Sequence, residues 1–578
     1  MSIAAPELVR SQPARRLAAG WAQSAVLATP LVVLAALAWS RRWMSDDGFI
    51  HLRVVHQILA GHGPVFNVGQ RVEASSSPLW VFTLTLADLV IPLRLEWIAV
   101  LLGIALTLTG VCLAMAGARS LFSQTGERQL FVPVGAAVLV AVSPVWTFSS
   151  SGLEGGLAYA WLGFCFWVLA RWARTSRPIG TAAAVVLGVG ALIRPELAVF
   201  TLLFAAVVLL GGGHDRPAAR LRTLAAMAAV PLAYQIFRMG YYGALAPQPA
   251  VAKEASRAWW SAGWTYLRAF ADPYWLWVPL VVLLAGAYLP QFRALRQAQR
   301  WRALLVVGGF AVGAIVDAVY IVRVGGDFMY ARLLLPALFA FVAPVAVVPL
   351  RTRYLGATLV LPWVVASLFF LRSPADNRGE FATGRHNLVT VEDFGLGEGQ
   401  PQRRWFTGDG VYFQTTRLDA PPAPGERTPA VAFYGIGITG YALGTNVYIL
   451  DLLGLADPFT AHLQLARRGL IAHEKPLPAP WIAARLLAPG ANVDEGEFPL
   501  PTGFGAQRID APAGVPFDER VNRARAALLC PTLRRFDASY TAPLTAHRFA
   551  DNLWHAVSYW RLRIPPEPAD AYDRFCRS

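Results

Sequence analysis

With 578 residues, 55% of them hydrophobic and only 15% charged, and a mean hydropathy of +0.43, the chain has the profile of a polytopic membrane protein rather than a soluble globule. The formal net charge of +15 would suggest nucleic acid in a soluble protein. Here much of it sits in short loops between apolar runs, where Lys and Arg fix topology and meet anionic headgroups, so the expected partner is the lipid bilayer and nucleic acid is not expected.

Arg10, Arg15 and Arg16 precede the first apolar run, from about Ala22 to Trp39, and place the N-terminus in the cytoplasm. No small-residue cleavage site obviously follows, so the run reads as a retained helix. Directly after it, outside the membrane, comes Trp43-Met44-Ser45-Asp46-Asp47-Gly48-Phe49-Ile50-His51. Two adjacent carboxylates at a membrane rim are expensive unless they face water or a polar cavity, which marks a functional site. The plainer reading is that one of them N-caps the next helix. His51 and His56 follow at helical spacing, and Gly61-His62-Gly63-Pro64 breaks the remainder of this first outer loop, 41–77, into short interfacial pieces.

Candidate crossings follow at roughly 96–117, 131–148, 154–171, 181–194, 196–211, 222–240, 274–290, 303–322, 331–349 and 355–372. The apolar run 78–93 is short. As a partial or re-entrant piece it leaves the basic loops Arg171–Arg174, His214–Arg222 and Gln291–Arg302 inside, giving about eleven crossings. The outer face then collects Asp46–Ser77, Ser149–Gly156 with Glu154, the Arg194-Pro195-Glu196 corner, Tyr241–Tyr274, and Gly325–Arg332 with Asp327. The expected fold is therefore a polytopic α-helical bundle over 1–372, followed by an extracytoplasmic soluble mixed α/β domain over 373–578 with strand-like runs at Val431–Tyr434 and Asn446–Leu452. Outside the cell, Cys530 and Cys576 can pair, whereas Cys112 and Cys165 lie in apolar runs as packing residues.

Acids on one face and an apolar bundle beneath them suit glycosyl transfer from a lipid-linked sugar. That reaction needs a carboxylate for the acceptor hydroxyl or the anomeric carbon, cationic donors for the departing phosphate, and a groove for the isoprenoid. Asp46 and Asp47 are the candidate catalytic carboxylates; because adjacent helical residues diverge by ~100°, one acts and the other orients it or contacts sugar. Arg194, Lys253, Arg323 and Arg332 are candidate phosphate ligands. His51, His56, His62, Glu73, Glu154, Glu196, Tyr241 and Asp327 complete the candidate substrate contacts. Several have a structural counterpart reading: surface histidines, a Glu73–Arg71 pair, an Arg194–Glu196 pair at a helix break, and a Gly325-Gly326-Asp327 turn capping a helix from about Phe328. No metal is expected, since the histidines lack Cys or carboxylate partners at diagnostic spacing, and no cofactor motif is present.

Several stretches carry a resemblance. Ser45–Ile50, Ala60–Asn67, Arg71-Val72-Glu73, Met239–Gly243 leading to Ala252-Lys253-Glu254, Gly325–Met329, Asp451–Pro458 and His473-Glu474-Lys475 together resemble the C-type membrane glycosyltransferases. More narrowly, they resemble the terminal β-(1→2)-arabinofuranosyltransferase family of mycobacterial-type envelopes. The resemblance implies a decaprenyl-phosphate arabinofuranose donor, an arabinan acceptor in arabinogalactan and lipoarabinomannan, an extracytoplasmic site, and an acidic residue falling on Asp46 or Asp47. A donor and product both of β configuration would require retention, by an Asp nucleophile or a front-face mechanism. Gln248-Pro249-Ala250-Val251 departs from the Pro-Asn-Thr pattern of related transferases. The competing expectations are transfer of another lipid-linked sugar, such as mannose or an aminopentose, a glycolipid transporter, and an assembly scaffold. Inverted repeats that would mark a transporter are not evident.

Overall fold

A computed structural model describes residues 11–122, 129–175, 177–212, 217–370, 418–423, 426, 428–465, 468–469, 474–488 and 514–577. Among the described residues six helices are long and apolar enough to cross a membrane: Trp21–Ser40, Leu95–Phe122, Gly155–Thr175, Trp277–Gln297, Trp301–Val324 and Thr352–Phe369. The chain is multi-pass.

The other segments expected to cross are helical but short or interrupted, so eleven apolar runs do not become eleven membrane-length helices. A break at Val142, before Pro144, separates Val134–Ala141 from Ser143–Phe148. Val189 separates Thr181–Gly188 from Gly190–Ile193. Pro195–Gly211 and Arg332–Val345 are apolar but shorter, and Pro217–Phe237 opens with Arg220 and Arg222 before its apolar part. Proline removes a backbone donor and ends helical runs, and such breaks are tolerated at membrane depth where protein neighbours surround them. The 11-residue helix Pro78–Asp88 is too short to cross.

One helix pair fixes the backbone that leads to Glu154. A Cβ added at Gly156 would stand 2.2 Å from the Gly103 carbonyl oxygen, and one at Gly163 2.2 Å from that of Gly110. Leu95–Phe122 and Gly155–Thr175 therefore touch backbone to backbone, the small-residue packing that drives helix association in lipid. Glu154 immediately precedes the second helix, so this seam sets its position.

The described part of the tail contains one two-stranded parallel pair, Ala430–Phe433 with Tyr448–Asp451, joined through helix Ile436–Leu443. Helices Ala479–Leu486, Phe517–Leu528, Pro531–Thr541, Ala546–Arg561 and Pro568–Cys576 follow. Strands thus form within both expected strand runs, while the expected boundary at 372/373 lies outside the described residues. Leu450, Phe459, Trp481, Ile482, Leu533 and Ile564 make a tail core, but Ile436, Tyr441, Val447, Ile449 and Leu455 belong to the core of the bundle. Cys530 and Cys576 are disulfide-bonded, 5.0 Å apart at Cα.

The segment 41–77 supplies one part of the tail's polar anchorage. The buried guanidinium of Arg53 donates to the carbonyl oxygens of Phe66, Gly444 and Val447, each at 2.8 Å, and to that of Gly440. Asn67 exchanges two hydrogen bonds with the Ile449 backbone, at 2.9 and 3.0 Å. Gln57 donates to the Thr445 carbonyl at 2.9 Å.

The Gly163→Ala variant forces its new methyl group against the Gly110 backbone and is expected to lose roughly 1–3 kcal/mol. The measurement is thermal melting in detergent. Gly308→Ala, where the nearest atom to the added Cβ is 3.9 Å away, should melt with the parent; equal melting of all three proteins would refute the seam.

Candidate active site

The helix Asp46–Leu59 positions the acidic pair, and neither aspartate caps it. Ser45 does so, its hydroxyl accepting from the Gly48 N–H at 3.0 Å. The ~100° step between helical neighbours then sends the two carboxylates to different places. Asp46 turns to the tail, its oxygens accepting from the N–H groups of Gly437 at 3.1 Å and Ile438 at 2.8 Å. It caps the helix Ile436–Leu443, which begins 390 residues later. Burial, helped by the neighbouring charge of Asp47, raises its pKa to about 6 despite those bonds.

Asp47 lines a cavity of about 140 Å³ together with His51, one turn further on, and Glu154, Arg194, Glu196, Lys253 and Arg332. Ser76, Pro249, Ala250 and Tyr320 complete parts of the wall, and Leu455 reaches it from the tail. Seven of the candidate residues thus meet, drawn from segments scattered over nearly three hundred residues of chain. Asp327 lies directly behind the wall, fully buried.

These groups form a connected ionic lattice. Arg194 bonds Glu154 at 2.6 Å and also Glu196, and His51 Nε2 lies 3.5 Å from the second Glu154 oxygen. Arg332 bridges Asp327 at 2.5 Å and Asp47 at 3.3 Å. Lys253 Nζ contacts the other Asp327 oxygen at 3.2 Å. Burial pushes the Glu154 carboxyl up, but Arg194 and His51 outweigh it and hold the group well below the usual carboxylate range. Asp327 is lowered in the same way, Arg332 and Lys253 overcoming its burial. Both are anions at neutral pH, and the cavity keeps fixed charges of both signs.

Five further candidates go elsewhere. His56 is nine residues beyond Asp47, about half a revolution round the helix, and stacks on Tyr441 with ring centres 4.8 Å apart. His62 Nδ1 is 2.7 Å from Gln57 Oε1. Glu73 is held by Arg238, at 2.5 and 3.0 Å, and by Tyr234 at 2.8 Å, not by Arg71. Arg71 instead donates to the Tyr241 carbonyl at 2.9 Å, while the Tyr241 ring stacks on Phe237. Arg323 does not line the cavity. Gly325 and Gly326, with φ of +101° and +82°, end the helix Trp301–Val324, and the next helical turn starts at Arg332 rather than Phe328. Asp457 caps Pro458–Ala461 and pairs with Arg485 at 2.6 Å, a structural role; His473 lies outside the described residues.

Residue types alone do not single out Tyr320 and Ser76, which line the cavity, or a buried acid on the same helix as Tyr320. Asp317 is buried within Trp301–Val324, with neither oxygen hydrogen-bonded among the described residues. Its signal was legible as a lone acid inside an apolar run. Tyr320 and Ser76 carry no sequence mark of their own. Among the described residues no group of three or more His, Cys, Asp or Glu is placed to hold a metal ion.

The chain is thus a multi-pass bundle with a cavity of mixed charge lined by the helix Asp46–Leu59. The chain is 34% identical to the terminal β-(1→2)-arabinofuranosyltransferase of Mycobacterium tuberculosis, over 92% of this chain and 94% of that protein. It is 32% identical to the protein of the same name from Corynebacterium glutamicum, over 93% of this chain and 85% of that one. The chain belongs to this family of membrane-bound transferases. No family model and no solved structure matches it.

The structural assignment of Asp46 has a pH signature. Its raised pKa means that the folded chain holds a proton which the unfolded chain, with a carboxyl near 3.8, releases. The contribution is fully present below 3.8 and is lost as pH rises through about 6. Asp46→Asn fixes the uncharged form. On lowering the pH from about 7.5 to 5, the parent's melting temperature should gain on the variant's by at least 1–2 °C; a constant difference would contradict the assignment.

Proposed function

We propose that this protein transfers D-arabinofuranose from decaprenyl-phosphate arabinofuranose to the arabinan termini of arabinogalactan and lipoarabinomannan, forming terminal β-(1→2) linkages. The observation that carries this reading is the convergence of Asp47 with Arg194, Lys253 and Arg332 on one cavity, in a chain similar along most of its length to two transferases with that printed activity. In this reading 1–372 is the catalytic bundle of about eleven crossings, some of them by broken helices. The region 373–578 is an extracytoplasmic domain that faces the glycan. The disulfide supports an oxidising compartment for the tail, and the basic inner loops support the same orientation.

The residues divide the chemistry between them. Arg332 and Lys253 hold the donor's phosphate, Arg194 with Glu154 and Glu196 fixes the sugar, and Asp47 accepts the proton of the incoming hydroxyl. Because Asp47 lies against Arg332, the base stands on the side from which phosphate departs. A nucleophile for double displacement would have to stand on the opposite side. The placement supports a front-face transfer, in which the acceptor enters beside the leaving phosphate and configuration is retained. Breakage of the bond from the anomeric carbon to phosphate oxygen leads formation of the bond to the acceptor. The phosphate leaves with the electron pair.

The test uses the purified protein in nanodiscs with labelled decaprenyl-phosphate arabinofuranose and a short arabinan. Asp47→Asn should lower transfer at least about 10²-fold, whereas Asp46→Asn, once melting has been matched by temperature, should retain most of it. A mannosyl-phosphate donor should be inert. Equal transfer by the parent and Asp47→Asn, or a preference for mannose, would overturn the proposal.

A further inference from the structure

The cavity and the carboxylate behind it carry a charge balance that constrains how a lipid phosphate enters. Four carboxylates, Asp47, Glu154, Glu196 and Asp327, face three permanent cations, Arg194, Lys253 and Arg332, and each cation already touches at least one carboxylate. A phosphodiester brings one more negative charge into this pocket and finds every cation engaged. A strong phosphate contact comes at the expense of the carboxylate held least firmly, and the contacts identify which one that is.

Glu154, Glu196 and Asp327 have side chains 3%, 10% and 0% exposed, so loss of a partner would strand a buried anion. Asp47 is 19% exposed and makes the longest of these cation contacts, 3.3 Å, to a single nitrogen of Arg332. The other Arg332 terminal nitrogen stays on Asp327 at 2.5 Å, so the guanidinium can change one partner without moving. Arg332 Nε is, in addition, a buried N–H with no hydrogen-bond acceptor among the described residues. A guanidinium anchored through one terminal nitrogen and loosely held at the other is suited to exchanging the carboxylate on that second arm for a phosphate oxygen.

We infer that Arg332 is an exchange switch: the donor's phosphate replaces Asp47 on its guanidinium, and only this replacement frees the Asp47 carboxylate to act as base. The inference rests on the transferase reading above and adds an order of events. Without donor, Asp47 is masked by Arg332. With donor bound, one anion has replaced another on the guanidinium, and Asp47 is released on the first turn of its helix beside the bound sugar. The acceptor hydroxyl then gives its proton to the Asp47 carboxylate as its oxygen bonds to the anomeric carbon. The departing phosphate keeps the electron pair of the broken bond and remains on Arg332.

The switch makes a prediction opposite to that for an ordinary substrate contact: removing the Asp47 charge should improve binding of the lipid phosphate. The probes are decaprenyl phosphate and uncharged decaprenol, titrated by intrinsic tryptophan fluorescence into the full-length protein in nanodiscs. Asp47→Asn should bind decaprenyl phosphate roughly 5–10-fold tighter than the parent, with decaprenol affinity unchanged. Arg332→Gln should remove the preference for phosphate over alcohol, and the gain should vanish in the double variant. Asp47→Ser serves as a second neutral variant, and melting curves confirm that each protein is folded. Equal or weaker phosphate binding by both neutral variants would sink the switch, even with the transferase reading intact. A parent that does not prefer phosphate to alcohol would sink both.

Discussion

Ions cannot be left alone inside an apolar bundle, and the architecture of this protein follows from how that requirement is met. Arg194 arrives at a helix break, Arg332 after a double-glycine turn, and Glu154 at the head of a helix held by a glycine seam. Each lies where backbone irregularity brings a charged side chain inward, and each finds its counter-ion on a different segment. The break at Arg194-Pro195, which shortens the apolar helix Pro195–Gly211, also delivers Arg194 and Glu196 to the cavity.

The helix Asp46–Leu59 joins the two halves of the molecule because its two sides bury different surfaces. Residues 46, 53 and 57 recur at seven- and four-residue spacing on one side, and each binds tail backbone. Residues 47, 50 and 51 share another side, and each lines the cavity. One rigid element of fourteen residues therefore sets the distance between the tail and the site.

Much of the site was legible in the sequence because charged residues at the outer ends of apolar runs are rare and expensive. Asp47, Glu154, Arg194, Glu196, Lys253, Asp327 and Arg332 could be picked out on that ground alone. What sequence could not supply was direction. Asp46 and His56 sit in the same motif as Asp47, yet rotation about the helix sends them to the tail and to Tyr441. Glu73 looked paired with Arg71 by proximity in the chain, but its partner is Arg238, 165 residues away. The crossing count was misread in form because a run of apolar residues reports burial in lipid or protein alike, while the breaks at Val142 and Val189 depend on packing. Asp317 was visible and passed over; the acid in the middle of an otherwise apolar span deserved the weight given to the rim.

The carbonyls that Arg53 collects have a practical meaning for anyone who would rebuild this enzyme. Three of the four backbone carbonyls, at Gly440, Gly444 and Val447, come from the tail. A chimaera that grafts a foreign outer module onto this bundle would orphan a guanidinium sealed within the junction, at the root of the helix that bears Asp47. The two parts are thus not interchangeable cartridges, and swaps between relatives will tolerate a new module only when it carries its own set of matching backbone oxygens.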